Sequence, residues 1–317
     1  MDVIAKNRLD LAVVLLTYNE ELHLRRALQS VSTLAREIFV IDSFSTDSTL
    51  EIATSFGAYV VQRQFAYHAE QFAWALDNMP ISAQWVMRLD ADEIIEDDLA
   101  EEIAQRLPRL EEGITGVALR RKTIFQGRFL RHGGRFPVTL LRIWRRGKAA
   151  VEDRRMDEHL FLTEGKSVTF SGGFADYSLL NLSAFTDKHN RYATREALEA
   201  LNTSLHFLPD RQNLTTSIAP RQARMKRFLK DNVYNRIPFE VSAFAYFVYR
   251  YLFLLGFLDG REGLVYHVLQ GFWYRFLVGA KLREIKAVVR GVEDKEELRL
   301  VIARITQQEF NEPVLPR

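Results

Sequence analysis

The first hundred residues alternate between short unbroken apolar runs and stretches whose apolar positions recur every three or four residues. Residues 11–16 form one such run, the pattern of a strand buried on both faces of a parallel sheet. Thr17-Tyr18-Asn19-Glu20 ends it, and Leu22, Leu24, Ala27, Leu28 and Val31 are then spaced for one buried side of a helix. A second strand over residues 38–41 ends at Asp42. The next seven residues are dense in helix-capping types, and a helix through Leu50, Ile52, Ala53 and Phe56 stops at Gly57. A third strand over residues 59–62, a helix over residues 67–78 and the strand-forming run Trp85-Val86-Met87-Arg88-Leu89 complete the series.

Alternating strands and helices predict an α/β fold with a parallel sheet covered by helices. Ligands of such sheets sit beyond the carboxyl ends of the strands. Residues 17–20, Asp42 and residues 90–93 all lie at such ends, so three polar clusters converge on one edge. Side chains alternate along a strand, so Asp90 and Asp92 can face one way with small Ala91 between them. Hard carboxylate oxygens suit Mg²⁺ or Mn²⁺, and Mg²⁺ takes only one or two of them, completing its shell with water and substrate phosphates. The competing reading is a solvated acidic loop opening a helix at about Asp97, where acids favour the helix N-terminus.

The whole chain is long and apolar enough, at 317 residues and 47% hydrophobic, to bury a sizeable core. It has no cysteine, which excludes disulfides and thiolate metal sites. The apolar run at residues 11–16 is too short for a secretory signal, so a cytoplasmic protein is expected. A net charge of +2 conceals an asymmetry. Residues 1–119 hold 9 Lys and Arg against 20 Asp and Glu, and residues 120–317 hold 34 against 21. The basic half suits an anionic acceptor or an anionic membrane surface, while the overall balance argues against nucleic acid.

The motifs 17–20, Asp42-Ser43-Phe44-Ser45-Thr46-Asp47-Ser48-Thr49 and Asp90-Ala91-Asp92-Glu93, in this order and spacing, resemble family 2 glycosyltransferases. The resemblance implies a GT-A (Rossmann-like) nucleotide-binding domain with a mixed, mainly parallel sheet, expected over residues 1–215, and a helical C-terminal region over residues 216–317. By the same resemblance Thr17, Tyr18 and Glu20 line a nucleoside pocket, Asp42 accepts a hydrogen bond from the base, Asp92 ligates the metal, and Asp90 lies close to the ribose and the ion. An imide N–H favours uracil or thymine, with guanine also possible, and uridine is the expectation. A weaker similarity through Met156-Asp157-Glu158-His159 and Leu255-Gly256-Phe257-Leu258-Asp259-Gly260 points to bacterial lipopolysaccharide-core, capsule and exopolysaccharide transferases. Glu158 aligns with the general base and Asp157 replaces the usual His, which leaves both as candidates, with salt bridges to Arg154 and Arg155 as the structural alternative.

These matches imply an inverting hexosyltransferase that uses Mg²⁺ or Mn²⁺ to move sugar from a UDP-hexose to a lipid-linked or lipopolysaccharide-core saccharide, peripheral at the inner face of the cell membrane. A nucleotidyltransferase acting on sugar phosphates and a non-catalytic membrane-bound scaffold are the alternatives. Gly133-Gly134, among Arg128, Arg131, His132 and Arg135 and followed by Arg142, Arg145, Arg146 and Lys148, reads as a basic loop able to close over a donor. Lys188, Arg191 and Arg195 share a face of a helix beginning near Thr186. Residues 220–236 read as a basic amphipathic helix. Arg250 splits the next apolar run into halves too short to cross a bilayer, leaving interfacial or re-entrant helices, or the interface of a homo-oligomer.

Overall fold

The computed structural model describes residues 8–152, 159–205, 207, 238–292 and 294–306. The chain divides into two compact units, Met1–Leu179 and Leu180–Arg317. The boundary expected after residue 215 falls outside the described residues.

In the first unit, β1 (Leu9–Thr17), β2 (Ala35–Asp42), β3 (Tyr59–Gln62) and β4 (Trp85–Arg88) pair in parallel in the order β3-β2-β1-β4. The apolar run of β1 works on both sides of this sheet. Leu11, Val13 and Leu15 enter one core with Leu24, Ala27, Leu28 and Val31 of α1 (Leu24–Val31). Ala12 and Val14 enter another with Phe72 and Ala75 of α3 (His68–Asn78). That division is the two-residue period of a strand covered on both faces. Helix α2 (Thr49–Ser55) joins the first core through Ile52 and Ala53.

The sheet continues as β8-β6-β12-β5, from β5 (Glu93–Ile95), β6 (Ile114–Phe125), β8 (Val138–Arg145) and β12 (Phe174–Tyr177). Strand β8 runs antiparallel to both β4 and β6, β12 is parallel to β6, and β5 is antiparallel to β12. Short β7 (Arg128–Leu130) and β11 (Lys166–Thr169) pair with β6, and β9 (Ala149–Val151) with β10 (Leu160–Leu162) makes a separate ribbon. Helix α4 (Asp97–Arg106) opens on Asp97 and Asp98 and clamps the turn before β12. Glu102 accepts from the N–H groups of Ser171 (2.8 Å) and Gly172 (2.9 Å), and Asp98 from that of Gly173 (2.9 Å).

The second unit is helical: α5 (Leu182–Leu205), α6 (Phe239–Val248), α7 (Gly260–Tyr266), α8 (Tyr274–Val288) and α9 (Lys295–Thr306). Ala197, Leu198 and Leu201 of α5 share a core with Ile285 of α8 and Leu298 and Ile302 of α9. Lys281 donates to Thr194 (2.7 Å), and the Tyr274 hydroxyl to Glu196 (2.7 Å). Helix α5 begins at Leu182, four residues before the expected start, and its Lys188 and Arg195 lie over the Tyr192 ring at 5.8 and 6.0 Å.

Candidate active site

The chain runs outward from β1 through β2 to β3 and then returns to place β4 on the other side of β1. Strand order therefore reverses between β1 and β4, and the carboxyl ends of such strands frame a ligand crevice. Thr17 and Asp42 are register partners at the ends of β1 and β2. The Thr17 hydroxyl donates to the Asp42 carboxylate across 3.0 Å.

Asp42 is fully buried. It also accepts from the Ser45 N–H (2.8 Å), the Ser45 hydroxyl (2.5 Å) and the Gln62 amide (3.3 Å). A base N–H reaches this carboxylate only by displacing one of those donors. The loops after β1 and β2 are joined throughout. Asn19 donates its N–H to the Ser45 hydroxyl (2.8 Å) and accepts at its side chain from the Thr46 N–H (2.9 Å). Farther along, the Glu20 and Glu21 N–H groups donate to Thr49 (2.8 Å) and Asp47 (3.1 Å). Asn19 and Phe44 take left-handed backbone conformations, at φ 52° and 61°. Such conformations are uncommon outside glycine, and for a ring as large as Phe44 are held by the surrounding bonds. Tyr18 and Phe44 are both exposed at this edge.

Glu20 is oriented from behind. His23 is buried and its Nδ1 lies 2.7 Å from the Glu20 carboxylate, while its Nε2 accepts from the Leu179 N–H at 3.0 Å. Acceptance at Nε2 puts the ring proton on Nδ1, which donates to Glu20.

At the return strand the structure corrects one expectation. Strand β4 ends at Arg88, so Asp90 and Asp92 lie in the turn leading to β5 and strand alternation does not govern them. The Asp90 carboxylate accepts from Arg88 Nε (3.1 Å) and from an Arg142 terminal nitrogen (3.1 Å). The same Arg142 nitrogen donates to buried Glu93, whose other oxygen accepts from the Asp90 N–H at 3.0 Å. Burial opposes ionisation of Asp90, but Arg88 and Arg142, with His68, outweigh it and hold the carboxyl far below the ordinary range. Glu93 moves the other way. Its burial pushes the carboxyl well up against the pull of Arg142, and the charges of Asp90 and Asp176 add to the rise.

Arg88 and Arg142 are the residues that sequence reasoning missed. The sequence reads Arg142 and Arg145 as following the basic loop, yet both belong to β8. Arg142 is buried and stacked over Phe174 at 5.4 Å, and Arg145 over Trp85 at 4.4 Å. The signal available was the make-up of residues 138–145, Val-Thr-Leu-Leu-Arg-Ile-Trp-Arg, whose β-branched and aromatic residues are those of a strand. Gly133 and Gly134 do form a turn, with φ of 63° and 67°.

Among the described residues, no three His, Cys, Asp or Glu side chains converge as a metal cluster. Asp92 is half-buried and its side chain makes no hydrogen bond or ion pair to a described residue, so its oxygens fit a hard divalent cation. Asp90 already serves two guanidinium groups. Asp157 and Glu158 lie outside the described residues.

The glycosyl transferase family 2 pattern matches residues 12–173, just over half of the chain. The uncharacterised glycosyltransferase RT0209 of Rickettsia typhi is 26% identical over 292 residues, 89% of each chain. An uncharacterised glycosyltransferase of Rickettsia bellii is 36% identical over 93 residues, 29% of this chain and 31% of that one. Among solved structures, residues 1–349 of S. aureus TarS align over 96% of this chain and 94% of theirs, at 16% identity and a TM-score of 0.43. Glucosyl-3-phosphoglycerate synthase of Mycobacterium tuberculosis, solved with Mn²⁺, UDP and phosphoglyceric acid, aligns over 38% and 45%, at 24% identity and a TM-score of 0.29. These structural likenesses are too slight to carry function. The extent of the family match and the mixed, mainly parallel sheet beneath it decide the matter: the chain belongs to glycosyl transferase family 2, with a GT-A-type α/β domain followed by helices.

Proposed function

We propose that this glycosyltransferase is inverting and metal-dependent, moving a hexose from a UDP-sugar to a lipid-linked or lipopolysaccharide-core saccharide at the inner face of the cell membrane. One observation carries the donor site: Thr17, Asp42 and the 90–93 turn meet at the reversal of strand order, where α/β sheets bind ligands. Tyr18 offers an exposed ring for the base and Glu20 an oxygen to the nucleoside, while Asp42, backed by Thr17, accepts from the base in place of one of its present donors. Asp90, fixed by Arg88 and Arg142, turns its carboxylate toward the ribose and the diphosphate.

Asp92 would hold Mg²⁺ or Mn²⁺, with Asp90 beside it. When bound, the ion supplies Lewis-acid stabilisation of charge on the diphosphate. Glu158 is the general base, with Asp157 as its orienter or replacement. It takes the proton of the acceptor hydroxyl as that oxygen bonds to the sugar's anomeric carbon. The bond to the nucleoside diphosphate breaks in the same displacement, and the configuration inverts.

A panel of nucleotide sugars with Mn²⁺ and membrane extract tests the reading by release of nucleoside diphosphate. Release from a UDP-hexose, lost in Glu158→Gln while nucleotide binding persists, is the expected result. Equal loss of binding and transfer makes Glu158 structural, and neither binding nor release with any donor refutes the activity.

A further inference from the structure

Between residues 241 and 258 the only charged residue is Arg250. It is buried, donating to the Tyr246 hydroxyl (3.3 Å) and the Gln270 carbonyl (3.5 Å). Apart from Tyr249, what this stretch exposes is apolar, including Phe244, Leu252, Phe253, Leu255, Phe257 and Leu258, with Phe253 at 74%. Soluble surfaces scatter such side chains singly among charges. Here they crowd a single bend.

The bend has a defined shape. Helix α6 runs into a π-helical turn at Tyr249–Phe253, and Leu255 takes a left-handed conformation at φ 59°. A 3₁₀ turn over Gly256–Asp259 then starts the return helices, which leave at 72° to the incoming one. A Cβ on Gly256 would lie 2.6 Å from His267 Nε2 and 3.0 Å from the Arg250 carbonyl, so the two arms are locked at the bend. No single helix among the described residues is long and apolar enough to cross a membrane, although the bent pair together has the length and composition of a broken span or re-entrant loop.

The chemistry of the bend separates its possible occupants. A protein interface of standard size takes about 20–30 residues a side, with a polar rim and hydrogen bonds around an apolar centre. Residues 252–258, Leu-Phe-Leu-Leu-Gly-Phe-Leu, contain no polar side chain. A hydrocarbon phase asks for none. Tyr246, Tyr249 and Tyr251 lie on the arm leading to the bend and Trp273 on the arm leading away, the aromatic types that settle at headgroup depth. Charges resume beyond the bend. Residues 239–292 hold seven Lys and Arg against four Asp and Glu, with Arg261, Arg283, Lys286 and Arg290 exposed. That balance favours anionic headgroups.

We propose that residues 252–258 are an interfacial anchor, dipping Phe253 and its apolar neighbours into the headgroup and acyl boundary of an anionic bilayer without crossing it. The anchor belongs to the second unit alone and stands whether or not the donor assignment holds.

The absence of cysteine from the chain permits a clean test in the full-length protein. Phe253→Cys carries a polarity-sensitive fluorophore, and Leu300→Cys, exposed on α9 away from the bend's cations, serves as the control. Vesicles of phosphatidylethanolamine and phosphatidylglycerol are expected to blue-shift the first label and leave the second unchanged, with a much smaller response to pure phosphatidylcholine. Leu252→Ser with Phe253→Ser should weaken vesicle co-sedimentation at least tenfold with circular dichroism unchanged, since burial of each such side chain is worth about a factor of ten or more. An unshifted label on anionic vesicles overturns the anchor. So does a label already blue-shifted without vesicles, which marks a second copy if the shift depends on concentration and the chain's own cover if it does not. An equal response to phosphatidylcholine overturns the choice of anionic lipid.

Discussion

Removing Arg142 is the sharpest test of how the 90–93 turn is held. Its side chain, 6% exposed, is shared between Asp90 at 3.1 Å and Glu93, itself 2% exposed. Arg142→Met keeps most of the volume against Phe174 but leaves Glu93 buried beside Asp90 with no cation in contact. Breaking a buried pair from one side costs about 3–5 kcal/mol. For a unit of this size that is a fall in melting temperature of about 10 °C. Glu93→Gln alone should cost about 1 kcal/mol, because the amide keeps the carboxylate's shape and its oxygen still accepts a hydrogen bond there. On that background Arg142→Met should cost at least about 2 kcal/mol less than it does alone, since a neutral amide needs no counter-charge. The assay is urea unfolding followed by tryptophan fluorescence in a Trp273→Phe background, which leaves Trp74, Trp85 and Trp144 to report on the first unit. A loss below about 1 kcal/mol, or equal losses on the two backgrounds within about 0.5 kcal/mol, would refute the argument.

Two further predictions concern the frame around the site. Gly172→Ala places a Cβ 2.4 Å from the Leu99 Cα and 2.6 Å from its nitrogen, backbone atoms of α4 that cannot turn aside. A loss of about 3 kcal/mol is expected, against no more than about 0.5 for Gly113→Ala, where nothing lies within 4 Å; equal melting temperatures for the two would disprove the close approach. Glu37 ties β2 to the turn before β4, accepting from the N–H groups of Ser82 (3.0 Å) and Ala83 (3.2 Å). Burial raises its carboxyl, but the bonds from Ser82, Arg36 and Ala83 prevail and hold it below its ordinary value. The native state therefore binds its proton less readily than the unfolded chain, and the stability it adds is present above about pH 4.3 and lost as pH falls below that. The advantage of the wild type over Glu37→Gln in urea midpoint should shrink between pH 6 and pH 3.5, and a constant advantage would contradict the shift.

Much of the first unit was legible because its signals are local. Six apolar residues at 11–16 specify a strand covered on both faces, and Leu24, Ala27, Leu28 and Val31 specify the face of α1, whatever follows. The ends of β1 and β2 could be read for the same reason, and Thr17 and Asp42 do meet. Non-local pairing was illegible. Nothing near Arg142 announces that β8 will insert antiparallel beside β4, so a guanidinium that bridges two carboxylates read as part of a solvated loop. The turn at residues 90–92 was misjudged by one strand residue, enough to undo an argument from alternation. His23 was invisible for a further reason: its partner Leu179 is 156 positions away, on the last residue of the unit.

The shared hydrogen bonds between the loops after β1 and β2 have a further consequence. Asn19, Glu20 and Glu21 are fastened to Ser45, Thr46, Thr49 and Asp47 in one unbroken series, so the two segments behave as a single rigid plate. Their ordering is completed when the chain folds, and whatever molecule docks at that edge loses little further freedom on their account. Selectivity there resides in the fixed outline of the plate, and a substitution at Asn19 would blur both halves of that outline at once.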